Sequence, residues 1–137
     1  MDAMKRVLAL AAVSEAATGL ALVIVPSFVG RLLLGAELTG VSIPVARVTG
    51  LSLIGLGLAC WPGGDAGRGL ARAIRGMLCY SVPVTVYLAC LGIGRKWAGP
   101  LLWPAVVAHA LLSFLLARAW LKDRQSTGQK APCRVEK

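Results

Sequence analysis

Residues 7–25 read VLALAAVSEAATGLALVIV, a run of 19 positions broken only by Ser14, Glu15, Thr18 and small residues. Wound as a helix at about 1.5 Å per residue, such a run covers the roughly 30 Å hydrocarbon layer of a bilayer. Three further stretches, residues 43–61, 74–91 and 101–120, have 19, 18 and 20 residues and the same character. Soluble helices rarely stay apolar on every face for so long. The expected fold is therefore an all-α integral membrane protein, an antiparallel four-helix bundle over residues 1–121.

Composition agrees. Of 137 residues, 57% are hydrophobic and 15% charged, and the mean hydropathy is +0.72. That balance disfavours a secreted disulfide scaffold, a disordered tail and an ordinary soluble domain. Lys5 and Arg6 precede the first run as they would precede a secretory signal, but a signal's apolar region spans only about 7–15 residues. This run is longer and carries Glu15, so an uncleaved first span is expected.

Lys and Arg number 15 against 6 acids. They sit between apolar runs and in the tail, not on one face interleaved with aromatics, so nucleic acid is not an expected partner. With four spans, 11 of them fall on one side: Lys5, Arg6, Arg68, Arg72, Arg75, Arg118, Lys122, Arg124, Lys130, Arg134 and Lys137. Only 4 fall on the other: Arg31, Arg47, Arg95 and Lys96. The positive-inside rule then places both termini on the cytoplasmic side of a bacterial inner membrane. Residues 122–137, polar and basic, are expected to form a mobile tail that anionic lipid attracts.

Between the first two runs, PSFVGRLLLG at residues 26–35 has Pro at a start and Gly at a stop. It reads as a short helix lying along the outer interface, or as an extension of the first helix beyond a kink at Pro26. The glycine-rich stretches 62–69 and 92–100 read as turns, which would make successive helices neighbours. Trp61, Trp97, Trp103 and Trp120 lie near span ends and suit an aromatic belt.

In the second span, Ala46, Gly50, Leu53, Gly57 and Cys60 recur at steps of four and three, a seam of mostly small side chains. Ala12 with Ala16, and Glu15 with Gly19, mark a similar strip on the first. Small residues let membrane helices approach closely where lipid offers no hydrophobic reward. Pro83, inside the third span, frees the Cys79 carbonyl, with Ser81 or Thr85 near enough to help. Cys60, Cys79 and Cys90 fall in apolar runs and are read as small buried hydrophobes. With Cys133 they form no metal or redox spacing.

Glu15 is the position richest in consequence, since a carboxylate at mid-span costs on the order of 2.5–3.5 kcal/mol. It lies about 15 Å from the outer face, His109 about 12 Å and Arg47 about 6 Å, by helical rise alone. A polar core of Glu15, Arg47 and His109 is expected, with Tyr80 approaching and Thr18 and Ser113 completing hydrogen bonds alongside Ser14 and Thr49. Such a core would fix helix register, or let Glu15 exchange protons with a moving solute. One Glu with one His is a poor metal site, and no Ser, His and Asp set for acyl transfer occurs.

The stretch ARVTGLSLIGLGL, residues 46–58, resembles the small four-helix bacterial membrane proteins called DoxX-like. The resemblance covers most of the chain and rests on small and apolar residues. It implies an inner-membrane subunit or accessory role, in some cases beside quinone-linked redox enzymes. AVSEAATGL, residues 12–20, is also similar to the glutamate-bearing helix of small multidrug resistance transporters, which work as antiparallel dimers. The third span, however, has Tyr80 and Tyr87 but no tryptophan, His109 has no counterpart there, and the 11 to 4 charge bias opposes dual insertion. The function expected is thus a small subunit or accessory protein of a membrane complex, or a homo-oligomer. The alternative is a small proton-coupled transporter using Glu15, and a quinone-handling role through His109 and Tyr80 comes third. No cofactor can be named.

Overall fold

A computed structural model describes residues 3–63, 68–95 and 97–128. These residues form five helices and no strand: α1 (Ala3–Ile24), α2 (Pro26–Leu34), α3 (Ser42–Ala59), α4 (Arg68–Ile93) and α5 (Leu102–Gly128). Four are long and apolar enough to cross a membrane, over Met4–Ile24, Ser42–Ala59, Gly69–Ile93 and Leu102–Lys122. The middle of the first glycine-rich turn (64–67), Lys96, and residues 129–137 with Cys133 lie outside the described residues.

Three helices exceed their expected bounds, α1 by starting at Ala3 instead of Val7. α4 starts at Arg68, within the stretch read as a turn. α5 continues to Gly128, so the tail read as mobile is helical in its first part. Charged residues such as Arg72 and Lys122 end an apolar window without ending a helix, because Arg and Lys are good helix formers.

Pro26 settles the shape of the next segment. Val25 has φ −130° and ψ 57°, outside the helical region, and α2 begins afresh with Pro26 at its first position. It ends at Gly35, whose φ of 72° is left-handed and whose N–H bonds the Arg31 carbonyl at 3.1 Å. The next two orphan carbonyls find partners in the α4–α5 connection: Gly99 N–H donates to Leu33 at 3.0 Å and Leu101 N–H to Leu32 at 2.8 Å. A separate short helix is thus clasped, backbone to backbone, to the other end of the chain.

The helices pack as two pairs, α1 along α3 and α4 along α5, with α1 and α5 forming most of the junction. Successive helices α3 and α4 do not run along each other, contrary to the turn-based expectation; Cys60 Sγ at the Ala73 carbonyl, 3.5 Å, is one point where they meet. The reason is the seam. Ala46, Gly50, Leu53, Gly57 and Cys60 are all buried, and so are Ala12, Glu15 and Gly19 on α1. These small surfaces fit each other so closely that α3 is drawn to α1 and not to the helix that follows it.

One core cluster gathers Leu8, Ala11, Ala12, Cys60, Leu70, Ile74, Met77 and Leu116. It joins the start of α1, the end of α3, the start of α4 and the C-terminal half of α5. The basic residues Lys5, Arg6, Arg72, Arg75, Arg118 and Lys122 therefore belong to one end of the molecule.

Of the cysteines among the described residues, only Cys60 is buried; Cys79 and Cys90 are exposed. They lie on the face of α4 that no other helix covers, which corrects the expectation that all three are core. α4 runs unbroken through Pro83, and the Thr85 hydroxyl donates to the Ser81 carbonyl at 2.7 Å, not to that of Cys79.

Candidate functional site

Helical spacing turns Glu15 inward. Leu8, Ala11, Ala12, Glu15 and Gly19 recur at three- and four-residue steps, and all are buried. Glu15 is only 2% exposed. A carboxyl so enclosed needs polar partners, and two come from elsewhere in the chain. His109 of α5 places Nδ1 at 3.6 Å from Glu15 Oε1, within ion-pair range but too long for a hydrogen bond. Tyr80 of α4 also reaches the Glu15 carboxyl, its hydroxyl positioned to donate. Tyr80 and His109 meet edge to face, ring centroids 6.1 Å apart and planes 70° apart.

Three helices thus each contribute one side chain to a single polar cluster. The Glu15–His109 contact is an ion pair when the imidazole is protonated and a polar contact otherwise. Ser81 Oγ, His109 Nδ1 and Ser113 Oγ are buried without a hydrogen-bond partner among the described residues. Ser113 lies one turn beyond His109 on the same face, and Ser81 is adjacent to Tyr80.

Arg47 does not join them. It is exposed on α3, and among the described residues no ion pair links it to Glu15. A shared depth was the ground for including it, but depth says nothing of direction around the helix axis. Arg47 stands about 100° from Ala46 at the edge of the seam, so its side chain leaves the α1–α3 contact. Thr18 is likewise exposed, its hydroxyl bonding the Ser14 carbonyl at 2.9 Å. Ser14 bonds the Ala11 carbonyl at 2.8 Å and Thr49 that of Val45 at 2.9 Å, so all three hydroxyls serve their own helices.

Ser81, expected as relief for the proline-freed carbonyl, is instead fully buried, on the inward stripe of α4 with Ile74, Met77 and Leu88. Among the described residues no three His, Cys, Asp or Glu side chains gather as a metal site.

Comparison with family models, curated proteins and solved structures gives no significant match. What the arrangement can do has to be argued from its own chemistry.

Proposed function

We propose that this chain is a four-span, antiparallel helical protein of a bacterial inner membrane, with both termini cytoplasmic, serving as a small subunit or accessory protein of a membrane complex or homo-oligomer. The observation that carries the reading is the enclosure of Glu15. Its carboxyl is 2% exposed and is met by His109 and Tyr80 from two other helices. Such a group ties α1 to the α4–α5 pair and sets their register, as buried polar residues do in other helical assemblies.

The remaining surface offers helix faces instead of a reaction centre. Leu51, Leu58, Val82, Val86 and Phe114 all point outward, which suits lipid or a partner helix. The charge distribution supports the orientation, since the basic residues named above belong to one end. A DoxX-like subunit role agrees with this reading. Short α2, with Phe28 and Arg31 exposed and Pro26 and Gly30 buried, suits the outer interface.

The test is co-purification. Full-length protein extracted in mild detergent and sized by light scattering should run as a dimer or with a stoichiometric partner. A strictly solitary monomer, at the concentration found in the membrane, would refute the subunit role.

The transporter reading makes an opposite demand, because Glu15 would have to meet an aqueous path. A cavity is present between the α2–α3 connection and the end of α4, and Glu15 is not among the residues that line it. Solute uptake in proteoliposomes that is present in the native chain and abolished in Glu15→Gln would establish transport in place of the subunit role.

A further inference from the structure

The two-pair packing leaves a gap. α3 departs with α1 and α4 with α5, so the start of α3 and the end of α4 stand apart, and a cavity of about 380 Å³ opens there. Its size falls in the usual range of small-molecule sites, roughly 300–1,000 Å³. Its walls divide by chemistry: Leu38 and Leu91 are aliphatic, Tyr87 and Trp97 aromatic, Glu37 and Thr39 polar. Tyr87 and Trp97 are 66% and 51% exposed, amphipathic rings at the mouth.

Glu37 is the charged residue of the lining, and Arg31, in the last turn of α2 just outside it, holds the Glu37 Oε1 at 3.3 Å. The positions are fixed by the left-handed turn at Gly35, which folds the connection back over α2. Both side chains stay more than 60% exposed, so each has further hydrogen-bonding capacity to offer.

A cation and an anion a few ångströms apart, above an apolar slot with aromatic flanks, complement a zwitterionic amphiphile. We propose that this cavity binds an aminophospholipid by its phosphoethanolamine headgroup. The phosphate lies against Arg31, the ammonium against Glu37, and an acyl chain along Leu38 and Leu91. A primary ammonium suits Glu37 better than a choline, because it donates charge-assisted N–H bonds to a carboxylate and a trimethylated nitrogen has none to donate. A purely anionic headgroup satisfies Arg31 but places negative charge beside Glu37. The proposal rests on the membrane-spanning reading above.

The experiment uses full-length protein reconstituted in nanodiscs of equimolar phosphatidylethanolamine, phosphatidylglycerol and phosphatidylcholine. The lipid retained after gentle delipidation is identified by native mass spectrometry. Two exposed charge contacts predict about fivefold enrichment of the ethanolamine lipid over each of the others. Glu37→Gln and Arg31→Gln should each bring that ratio to within about twofold of unity, with helicity by circular dichroism unchanged. Failure of the native chain to enter the bilayer would overturn both readings. Incorporation without headgroup preference, retention of choline lipid equal to ethanolamine lipid, or preference surviving both substitutions would overturn the headgroup site alone.

Discussion

Adding one methyl group to the α1–α3 seam should separate two effects that usually travel together. A Cβ at Gly50 would lie 2.5 Å from the Gly19 carbonyl oxygen, 2.9 Å from Val23 Cγ2 and 3.0 Å from Leu22 Cβ. Ordinary carbon–oxygen contacts begin near 3.3 Å, so the helices must part by most of an ångström. Overpacking of this kind costs about 1–3 kcal/mol, and lost Cα–H···O contacts add about 0.5–1 kcal/mol. The better helix propensity of alanine offsets about 1 kcal/mol. Gly50→Ala is therefore expected to destabilise by about 0.5–3 kcal/mol. Gly55, five positions on in the same helix, is exposed, and a Cβ there meets nothing within 4 Å. Gly55→Ala keeps only the propensity gain, up to about 1 kcal/mol of stabilisation. Equilibrium unfolding in mixed micelles with increasing dodecyl sulfate, followed by far-ultraviolet circular dichroism, measures both. The two substitutions should move the midpoint in opposite directions. Equal shifts, or an unchanged Gly50→Ala midpoint, would refute the close approach of α1 and α3.

The same assay addresses the polar cluster. Glu15→Ala and His109→Ala should each destabilise, and their double variant should show a coupling of about 0.5–3 kcal/mol; additivity within about 0.3 kcal/mol would mean the two groups do not interact. Ser81→Ala removes a buried hydroxyl that has no partner among the described residues, so it should be neutral or stabilising by a few tenths of a kcal/mol. A loss above about 1 kcal/mol would show that the hydroxyl is bonded after all. A Cβ at Gly99 would press on the carbonyls of Leu32 and Arg31. Gly99→Ala should loosen the clasp between α2 and the α4–α5 connection, seen as faster amide exchange at Gly99 and Leu101, while Gly94→Ala, with only 3.4 Å and 3.6 Å contacts, should leave exchange there unchanged.

The helices were legible in the sequence because an apolar run of membrane length is a signal that little else produces. Their ends were less so: α4 and α5 extend past the hydropathy windows into arginine- and lysine-bearing turns, where backbone hydrogen bonds continue though hydrophobicity stops. The α3 seam was readable residue by residue, since small side chains at three- and four-residue steps have a definite direction. That direction already told against Arg47, which stands off the seam and so away from the Glu15 and His109 it was grouped with. Glu15 and His109 were readable as groups of similar depth, while for Tyr80 the sequence offered only an approach from the third span. The pairing of whole helices was not: turn length speaks only of chain neighbours, while the α1–α3 fit is decided by shape.

The distance along the chain between Glu15 and His109, 94 positions, bears on how the molecule is made. At ribosomal speeds of about 5–20 residues per second, the acid emerges roughly 5–20 s before the imidazole that meets it. For that interval the carboxyl lacks its imidazole, although α3 and Tyr80 are made within it. Any quality-control protease or chaperone that recognises unpaired carboxyls will encounter this chain during biogenesis, and truncations that stop before the last helix should be its preferred clients.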